Sequence, residues 1–176
     1  MGIEVAAAVA ADLPELAEVA ARTFPLACPP SASPEDIAAF IDENLSEARF
    51  RDYLTGDDRV VLAARQDERM VGYAMLIRGV PDDEAVQRAV TQRPAIELSK
   101  MYVLPDSHGA GVAAALMTMG LHEAKELNAS SVWLGVNQQN QRAQRFYAKH
   151  GFVINGTKTF RLGAGIENDY VMVHPI

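Results

Sequence analysis

The sequence has little cysteine and no long apolar run. Cys28 is the one cysteine among 176 residues, which excludes an internal disulfide and a cysteine-rich zinc site and fits a reducing compartment. No apolar stretch approaches the ~20 residues that a membrane helix needs, and the first residues, MGIEVAAAVAADLPE, lack the basic start of a signal peptide. We therefore expect a cytoplasmic protein with no membrane partner.

Positive charge is also scarce. The 16 lysines and arginines against 23 aspartates and glutamates give a formal net charge of −7, which repels phosphate backbones, so a nucleic-acid partner is not expected. Cationic small molecules are electrostatically easier partners. A length of 176 residues with 49% apolar and 22% charged residues suits one globular α/β domain that covers residues 1–176.

Capping and proline signals mark the helices of the N-terminal part. Asp12, with Glu15 three residues later, predicts a capping-box start for a first helix that runs to about Arg22. The stretch FPLACPPSASP has four prolines in eleven residues and predicts a loop. A second helix is expected from Ser33-Pro34-Glu35, and a further helical stretch is expected to end near Gly56.

Short apolar runs predict the strands of a mixed, largely antiparallel sheet, with a surface excursion at PDDEAVQRAVTQRP that holds one or two helical turns. The predicted strands are IEVAAAVA, the hairpin RVVLAAR with MVGYAMLIRG, then AIELSKMYVL, SVWLGV, and the final pair GFVINGTKTFRL with NDYVMVHPI. We expect NDYVMVHPI to be an edge strand that can pair with another subunit. A homodimer is expected on this ground.

Two glycines one residue apart, Gly109 and Gly111, join the strand AIELSKMYVL to an Ala-rich helix. Unpaired amides and the positive end of a helix dipole converge at such a turn, which therefore suits a phosphate group. A Walker-type loop is excluded because Val112 and Ala113 supply neither lysine nor hydroxyl. A dinucleotide fingerprint fits less well, because Asn137 ends the next strand where an acidic residue is needed. A plain tight turn stays open.

The residues after this turn carry a resemblance to a known family. HGAGVA is followed, after one strand, by Asn140, Ala143, Phe146-Tyr147 and Gly151-Phe152. This spacing resembles the GNAT superfamily of acyl-CoA N-acyltransferases, whose motif runs N-x-x-A-x-x-[FL]-Y-x-x-x-G-F. Within the superfamily, the chain looks most like bacterial polyamine N-acetyltransferases. His108 departs from the arginine or glutamine that is usual there, so the resemblance implies backbone rather than side-chain contacts from that position.

The resemblance implies a cofactor and a site for it. It implies a GNAT-type fold whose central sheet is flanked by helices, with a cleft for acetyl-CoA where AIELSKMYVL separates from SVWLGV. Amides of the glycine turn are expected to bind the pyrophosphate, pantetheine is expected beside the preceding strand, and Asn140 either holds the cofactor or caps a helix. The implied cofactor-binding residues are Met101, Tyr102, Val103, His108, Gly109, Ala110, Gly111, Val112, Ala113, Asn140, Ala143 and Tyr147.

Two residues are the predicted catalytic groups for attack of an amine on a thioester. Tyr147 resembles the family's leaving-group residue, and a hydrogen bond to the developing thiolate is its expected role; the alternative is a core aromatic. Glu97 lies on an otherwise apolar strand, at a position where several GNAT enzymes carry a base. Its alternative is a salt bridge to Lys100 or Arg93.

The acceptor is a primary amine in this reading. A small polyamine is the first candidate, a protein N-terminus or lysine the second, and an aminoglycoside-like compound the third. A non-catalytic acyl-CoA sensor on the same fold stays open as a different class. No metal is expected, because the spacing of His122, His150 and His174 is not that of metal ligands. Cys28 is not expected to be a nucleophile, because it has no evident base beside it.

Overall fold

The computed structural model describes residues 2–176. These residues form seven strands, β1 (Ile3–Ala7), β2 (Arg59–Gln66), β3 (Arg69–Arg78), β4 (Ala95–Val103), β5 (Ser131–Asn137), β6 (Val153–Leu162) and β7 (Gly165–Pro175). The same residues form six α-helices, α1 (Leu13–Ala27), α2 (Pro34–Asn44), α3 (Glu47–Thr55), α4 (Glu84–Ala89), α5 (Val112–Glu126) and α6 (Gln141–Lys149). The order of elements matches the order that the sequence predicts.

The strands form one sheet in the order β1-β2-β3-β4-β5-β7-β6. β4 and β5 run parallel, and the other neighbouring pairs are antiparallel. This arrangement confirms the predicted mixed, largely antiparallel sheet flanked by helices. One apolar core lies between the sheet and α5, and a second lies between the opposite face and the helices α1 and α3.

β4 and β5 are paired for three residues and then separate. Pairing runs from Ala95 with Ser131 to Glu97 with Trp133, whereas residues 134–137 of β5 pair with β7 alone. β4 keeps β3 as its partner as far as Val103. The edge of β4 that faces β5 therefore has no strand partner past Glu97, and the predicted cleft opens there.

A bulge on β4 changes which side chains share a face of the sheet. The residues of β3 pair with Leu98 and then with Lys100, so Ser99 is the extra residue. Leu98 lies in the core beneath α5, and alternation places Glu97 on the opposite face. Because the bulge adds one residue, Lys100 lies on the same face as Glu97, which a regular strand does not allow for residues three apart.

The first helix begins as predicted, with Asp12 at its N-cap position, but its C-terminal end differs from the prediction. It continues through Ala27 instead of ending near Arg22, because Phe24 is buried and its ring stacks on Phe40 with the centroids 4.5 Å apart. This packing holds residues 24–27 in helical conformation despite Pro25. The loop predicted over FPLACPPSASP therefore begins only at Cys28.

The predicted capping box is also wrong. Asp12 and Glu15 both bind Arg65 of β2, and the Glu15 carboxylate is 2.9 Å from the guanidinium. Glu15 also accepts a hydrogen bond from the Met70 amide, and Asp12 accepts one from the Val9 amide. These carboxylates fasten α1 to the β2–β3 hairpin instead of capping the helix.

The expectation that NDYVMVHPI is an edge strand is wrong. β7 is paired with β5 on one side and with β6 on the other, so it offers no free edge to a second subunit. The edges of the described sheet are β1 and β6. The predicted surface excursion is in part buried, because Val86 and Ala89 of α4 pack in a small core with Trp133. Among residues 2–176 there is no helix with the length and apolar character to cross a membrane.

Candidate active site

A cleft of about 450 Å³ lies where β4 and β5 separate. Eleven of the twelve predicted cofactor-binding residues line it, namely Met101, Tyr102, Val103, His108, Gly109, Gly111, Val112, Ala113, Asn140, Ala143 and Tyr147. Ala110 does not line the cleft. The end of α1 contributes Thr23, Leu26 and Ala27 to the wall, which sequence reasoning missed because it ended that helix too early.

The glycine turn presents free amides to the cleft. Gly109 and Gly111 both have φ of +84°, and no heavy atom lies within 4 Å of the place where a Cβ would be. Their backbone conformation therefore requires glycine, while the space around it stays open. Hydrogen bonds among residues 2–176 occupy the amides of His108 and Ala110, whereas the amides of residues 109 and 111–113 have no partner in the described chain, as is usual at the start of a helix.

The His108 side chain is occupied within the protein. Its Nε2 lies 3.0 Å from the Val103 carbonyl oxygen, and the hydrogen bond requires the proton on Nε2 because a carbonyl only accepts. The imidazole thus satisfies one acceptor on the open edge of β4. This position offers the cleft neither a free amide nor a free imidazole Nε2–H.

Tyr147 lies on α6, with its ring against Phe152 at a centroid distance of 6.0 Å and against Phe146 at 5.7 Å. Its hydroxyl forms no hydrogen bond with residues 2–176, although the side chain lines the cleft. Burial raises the pKa of Tyr147 to about 12. The hydroxyl is therefore a hydrogen-bond donor at neutral pH and is free to serve a ligand.

Asn140 caps α6. Its Oδ1 accepts a hydrogen bond of 3.1 Å from the Ala143 amide, so the capping alternative accounts for this oxygen. Asn140 also lines the cleft, and its side-chain amide nitrogen forms no hydrogen bond with residues 2–176. Arg142, in the first turn of α6, lines the same cleft; its only sequence signal was its place inside the N-x-x-A motif.

A second cavity, of about 150 Å³, adjoins the cleft. Tyr102 and Ala27 line both spaces. Five charged residues line the smaller cavity, namely Glu97, Lys100, Lys158, Glu167 and Asp169. We call this space the charged cavity. It unites side chains from β4, β6 and β7 that are far apart in the sequence.

Glu97 has no salt bridge in the described chain, so the alternative reading of this residue fails. Arg93 instead donates hydrogen bonds to the carbonyls of Val90 and Gln87, each 3.1 Å long. Lys100 lies on the same face of β4 but not within 4.0 Å of the carboxylate. Burial raises the pKa of Glu97, and nearby cations, Lys100 first, oppose that rise.

The cysteine and two of the histidines that the sequence analysis considered are engaged in contacts within the protein. Burial raises the pKa of the Cys28 thiol to about 11, and its Sγ donates to the Phe24 carbonyl oxygen at 3.3 Å. His150 packs on Phe146, and His174 packs on Phe152. Residues 2–176 hold no group of three or more metal-ligating side chains.

A mixed sheet that splays beside a glycine turn, with unpaired amides at a helix start and a charged cavity next to the cleft, defines the class as an α/β protein. Residues 14–152 match the model of the acetyltransferase (GNAT) family, and the chain belongs to that family. It is an acetyltransferase.

Relatives and solved structures agree with this family. An uncharacterized N-acetyltransferase of Mycobacterium tuberculosis is 62% identical over 165 residues, which cover 94% of this chain and 98% of the relative. PaiA N-acetyltransferase from Thermoplasma acidophilum, in complex with coenzyme A, has a TM-score of 0.79 over 100% of both chains at 22% identity. The ribosomal-protein-S18-alanine N-acetyltransferase from Escherichia coli has a TM-score of 0.69 over 99% of this chain and 94% of that chain, at 21% identity. The predicted GNAT fold is confirmed, whereas these names do not support the polyamine subtype.

Proposed function

We propose that the protein transfers the acetyl group of acetyl-CoA to a small primary amine, with the donor in the cleft and the acceptor in the charged cavity. The observation that carries the proposal is that Tyr102 forms a wall of both spaces. Ligands in two adjoining spaces lie near each other, and proximity of the two reactants favours direct transfer. As a GNAT acetyltransferase, the protein takes acetyl-CoA as its acyl donor.

The cleft suits coenzyme A chemically. The free amides at residues 109 and 111–113 meet the pyrophosphate at the positive end of α5, and Arg142 adds a charge for a phosphate group. Met101 and Val103, on the open edge of β4, offer an apolar wall for pantetheine. The backbone groups of this edge have no strand partner, although the Val103 carbonyl oxygen is taken by His108. Bound acetyl-CoA supplies a thioester, whose carbonyl carbon accepts the amine nitrogen.

The proposed reaction is a direct displacement. The ammonium first loses one proton to Glu97 or to water. The amine nitrogen then forms the amide bond as the thioester C–S bond breaks, and the second proton of the amine passes to the departing thiolate, so coenzyme A leaves as a thiol. Tyr147 donates a hydrogen bond to the sulfur as negative charge develops. Glu97 docks the ammonium and accepts its proton directly or through water.

The proton balance explains why burial of Glu97 matters. An alkyl ammonium near 10.4 and a glutamate near 4.3 differ by about six pKa units, so direct transfer costs about 8 kcal/mol without any environmental shift. Burial raises the pKa of Glu97 and narrows this gap. A bound ammonium lowers that pKa again, so a water relay serves the final step.

A polyamine is the acceptor that the sequence resemblance favours, and it stays a prediction. The three carboxylates of the charged cavity support a cationic acceptor, whereas its two lysines oppose one. A protein N-terminus or lysine is the alternative acceptor. Thiol release from acetyl-CoA with a panel of amines tests these acceptors, and acetyl-CoA binding without thiol release for any amine would favour a non-catalytic sensor.

The cofactor assignment is tested with two matched glycine variants. Gly111→Glu places an anion at the amides, and we expect calorimetry to detect no acetyl-CoA binding. Gly79→Glu is the control, because Gly79 also has a positive φ, of 96°, with no heavy atom within 4 Å of its Cβ position, but lies away from the cleft. Equal affinity of the two variants for acetyl-CoA would contradict the assignment.

Two further expectations stay predictions. The lone Cys28 supports a reducing, cytoplasmic location, which fractionation of cells tests. A homodimer needs an edge other than β7, and gel filtration with light scattering tests it.

A further inference from the structure

Two side chains of opposite charge face the charged cavity without a partner. Glu97 and Lys100 both line it, and no hydrogen bond or ion pair with residues 2–176 engages either charged group. The Lys100 Nζ lies 5.5 Å from the centroid of the Phe40 ring, a contact that leaves its N–H donors unused. The bulge at Ser99 is what brings the two charges to one face of β4.

The other charged residues that line this cavity have polar partners. Lys158 and Asp169 form an ion pair at 3.4 Å, and Glu167 accepts hydrogen bonds from two neighbouring side chains. Arg59 of β2 does not line the cavity; its guanidinium lies over the Tyr53 ring at 4.4 Å, and its Nε has no hydrogen-bond partner in the described chain. Among the residues that line the cavity, the charged groups without a polar partner are therefore one carboxylate, Glu97, and one ammonium, Lys100.

Charges removed from water are costly unless a partner meets them. A purely cationic acceptor satisfies Glu97 and adds a like charge beside Lys100, whereas an acceptor with both charges satisfies both residues. Building on the proposed function, we propose that the acceptor is a short amine that also carries a carboxylate, with the amine at Glu97 and the carboxylate bound by Lys100. Lys100 is thus a specificity-determining residue.

The size of the cavity limits the length of this acceptor. Its volume of about 150 Å³ equals that of about five water molecules at ~30 Å³ each. An acceptor with a chain of a few carbons fits this space. Such a chain separates the amine from the carboxylate, so that one can contact Glu97 and the other Lys100, which are not within ion-pair distance of each other. We therefore choose 4-aminobutanoate as the probe, with butylamine and 1,4-diaminobutane as acceptors of matched chain length.

The experiment compares wild type, Lys100→Met and Lys125→Met in a thiol-release assay at saturating acetyl-CoA. Methionine keeps the unbranched stem and removes the charge, and Lys125 is the control because it is exposed on α5, outside both spaces. In wild type we expect kcat/KM for 4-aminobutanoate to exceed that for butylamine by about tenfold to a hundredfold, the range for hydrogen bonds to charged groups. Lys100→Met is expected to remove this preference, because KM for 4-aminobutanoate rises more than KM for butylamine. Lys125→Met is expected to keep the wild-type preference.

Three results overturn the proposal. They are a wild-type preference for 1,4-diaminobutane over 4-aminobutanoate, equal use of 4-aminobutanoate and butylamine, or a parallel loss with all acceptors in Lys100→Met. The last result marks a structural lysine, and unchanged acetyl-CoA affinity of the variant confirms that it is folded. If none of the acceptors gives thiol release, that result contradicts the proposed function instead of this inference. Calorimetry of the same acceptors on the coenzyme A complex then decides this inference, and binding of 4-aminobutanoate no tighter than that of butylamine overturns it.

Discussion

Replacement of Tyr147 by phenylalanine isolates one hydroxyl. The ring contacts with Phe146 and Phe152 are kept, and the hydroxyl forms no hydrogen bond with the described residues, so we expect the free energy of unfolding to change by less than about 0.5 kcal/mol. Burial raises the pKa of Tyr147 to about 12. A thiol near 8.5 lies about 3.5 units lower, so full proton transfer from the tyrosine costs about 5 kcal/mol. The hydroxyl therefore stabilises the thiolate by a hydrogen bond alone.

This limit sets the expected size of the effect. A hydrogen bond to a charged group contributes about 1.5–3 kcal/mol, which corresponds to a fall in the rate constant of about tenfold to 150-fold. We expect this fall in kcat from single-turnover thiol release at saturating acetyl-CoA and acceptor, with acetyl-CoA affinity little changed. Tyr170→Phe is the matched control, because Tyr170 lines neither the cleft nor the charged cavity.

Two outcomes would refute this reasoning. An unchanged single-turnover rate returns Tyr147 to a packing role. A loss beyond about ten-thousandfold exceeds what one hydrogen bond provides and points to full proton transfer.

Two further variants separate function from structure. Glu97→Gln should lower kcat/KM by about tenfold to a thousandfold, less so as pH rises and free amine accumulates; a pH–rate profile that overlays wild type would make Glu97 structural. Burial raises the pKa of Glu97 in the folded state. Wild-type stability therefore falls as pH rises from the unfolded-state pKa through the folded-state pKa. The glutamine variant should have the higher Tm at neutral pH, and this advantage should be absent below about pH 4. Asn140→Ser keeps a capping oxygen, whereas Asn140→Ala should cost about 0.5–2 kcal/mol of stability. Lower acetyl-CoA affinity in the serine variant indicates a cofactor contact from the Asn140 amide, and unchanged affinity restricts Asn140 to the cap.

Local sequence signals determined the order of the elements and the glycine turn. Ser33 caps α2 as predicted, with its hydroxyl accepting from the Asp36 amide, because a cap depends on residues within one turn. Gly109 and Gly111 adopt the positive φ that their place between strand and helix indicates. The spaced residues after them were sufficient to recognise the family, because the spacing of a motif can be seen in the sequence without knowledge of tertiary contacts.

Contacts between distant parts of the chain decided the rest. Asp12 and Glu15 match the local pattern of a capping box. The guanidinium of Arg65, some fifty positions along the chain, instead donates hydrogen bonds to both carboxylates. The continuation of α1 to Ala27, which adds a wall to the cleft, depends on stacking of Phe24 with Phe40. Long-range packing of this kind overrides local propensity, because most of the stability of a helix in a folded protein comes from tertiary packing.

The composition of the charged cavity depended most on the tertiary structure. Residues three apart on a strand point to opposite faces, so the sequence alone separates Glu97 from Lys100, and only the bulge at Ser99 unites them. Lys158 and Asp169 reach the same cavity through the pairing of β6 with β7. Sequence patterns record which residues are present, whereas register and strand order decide which charges share one space, because both depend on pairing between segments that are remote along the chain.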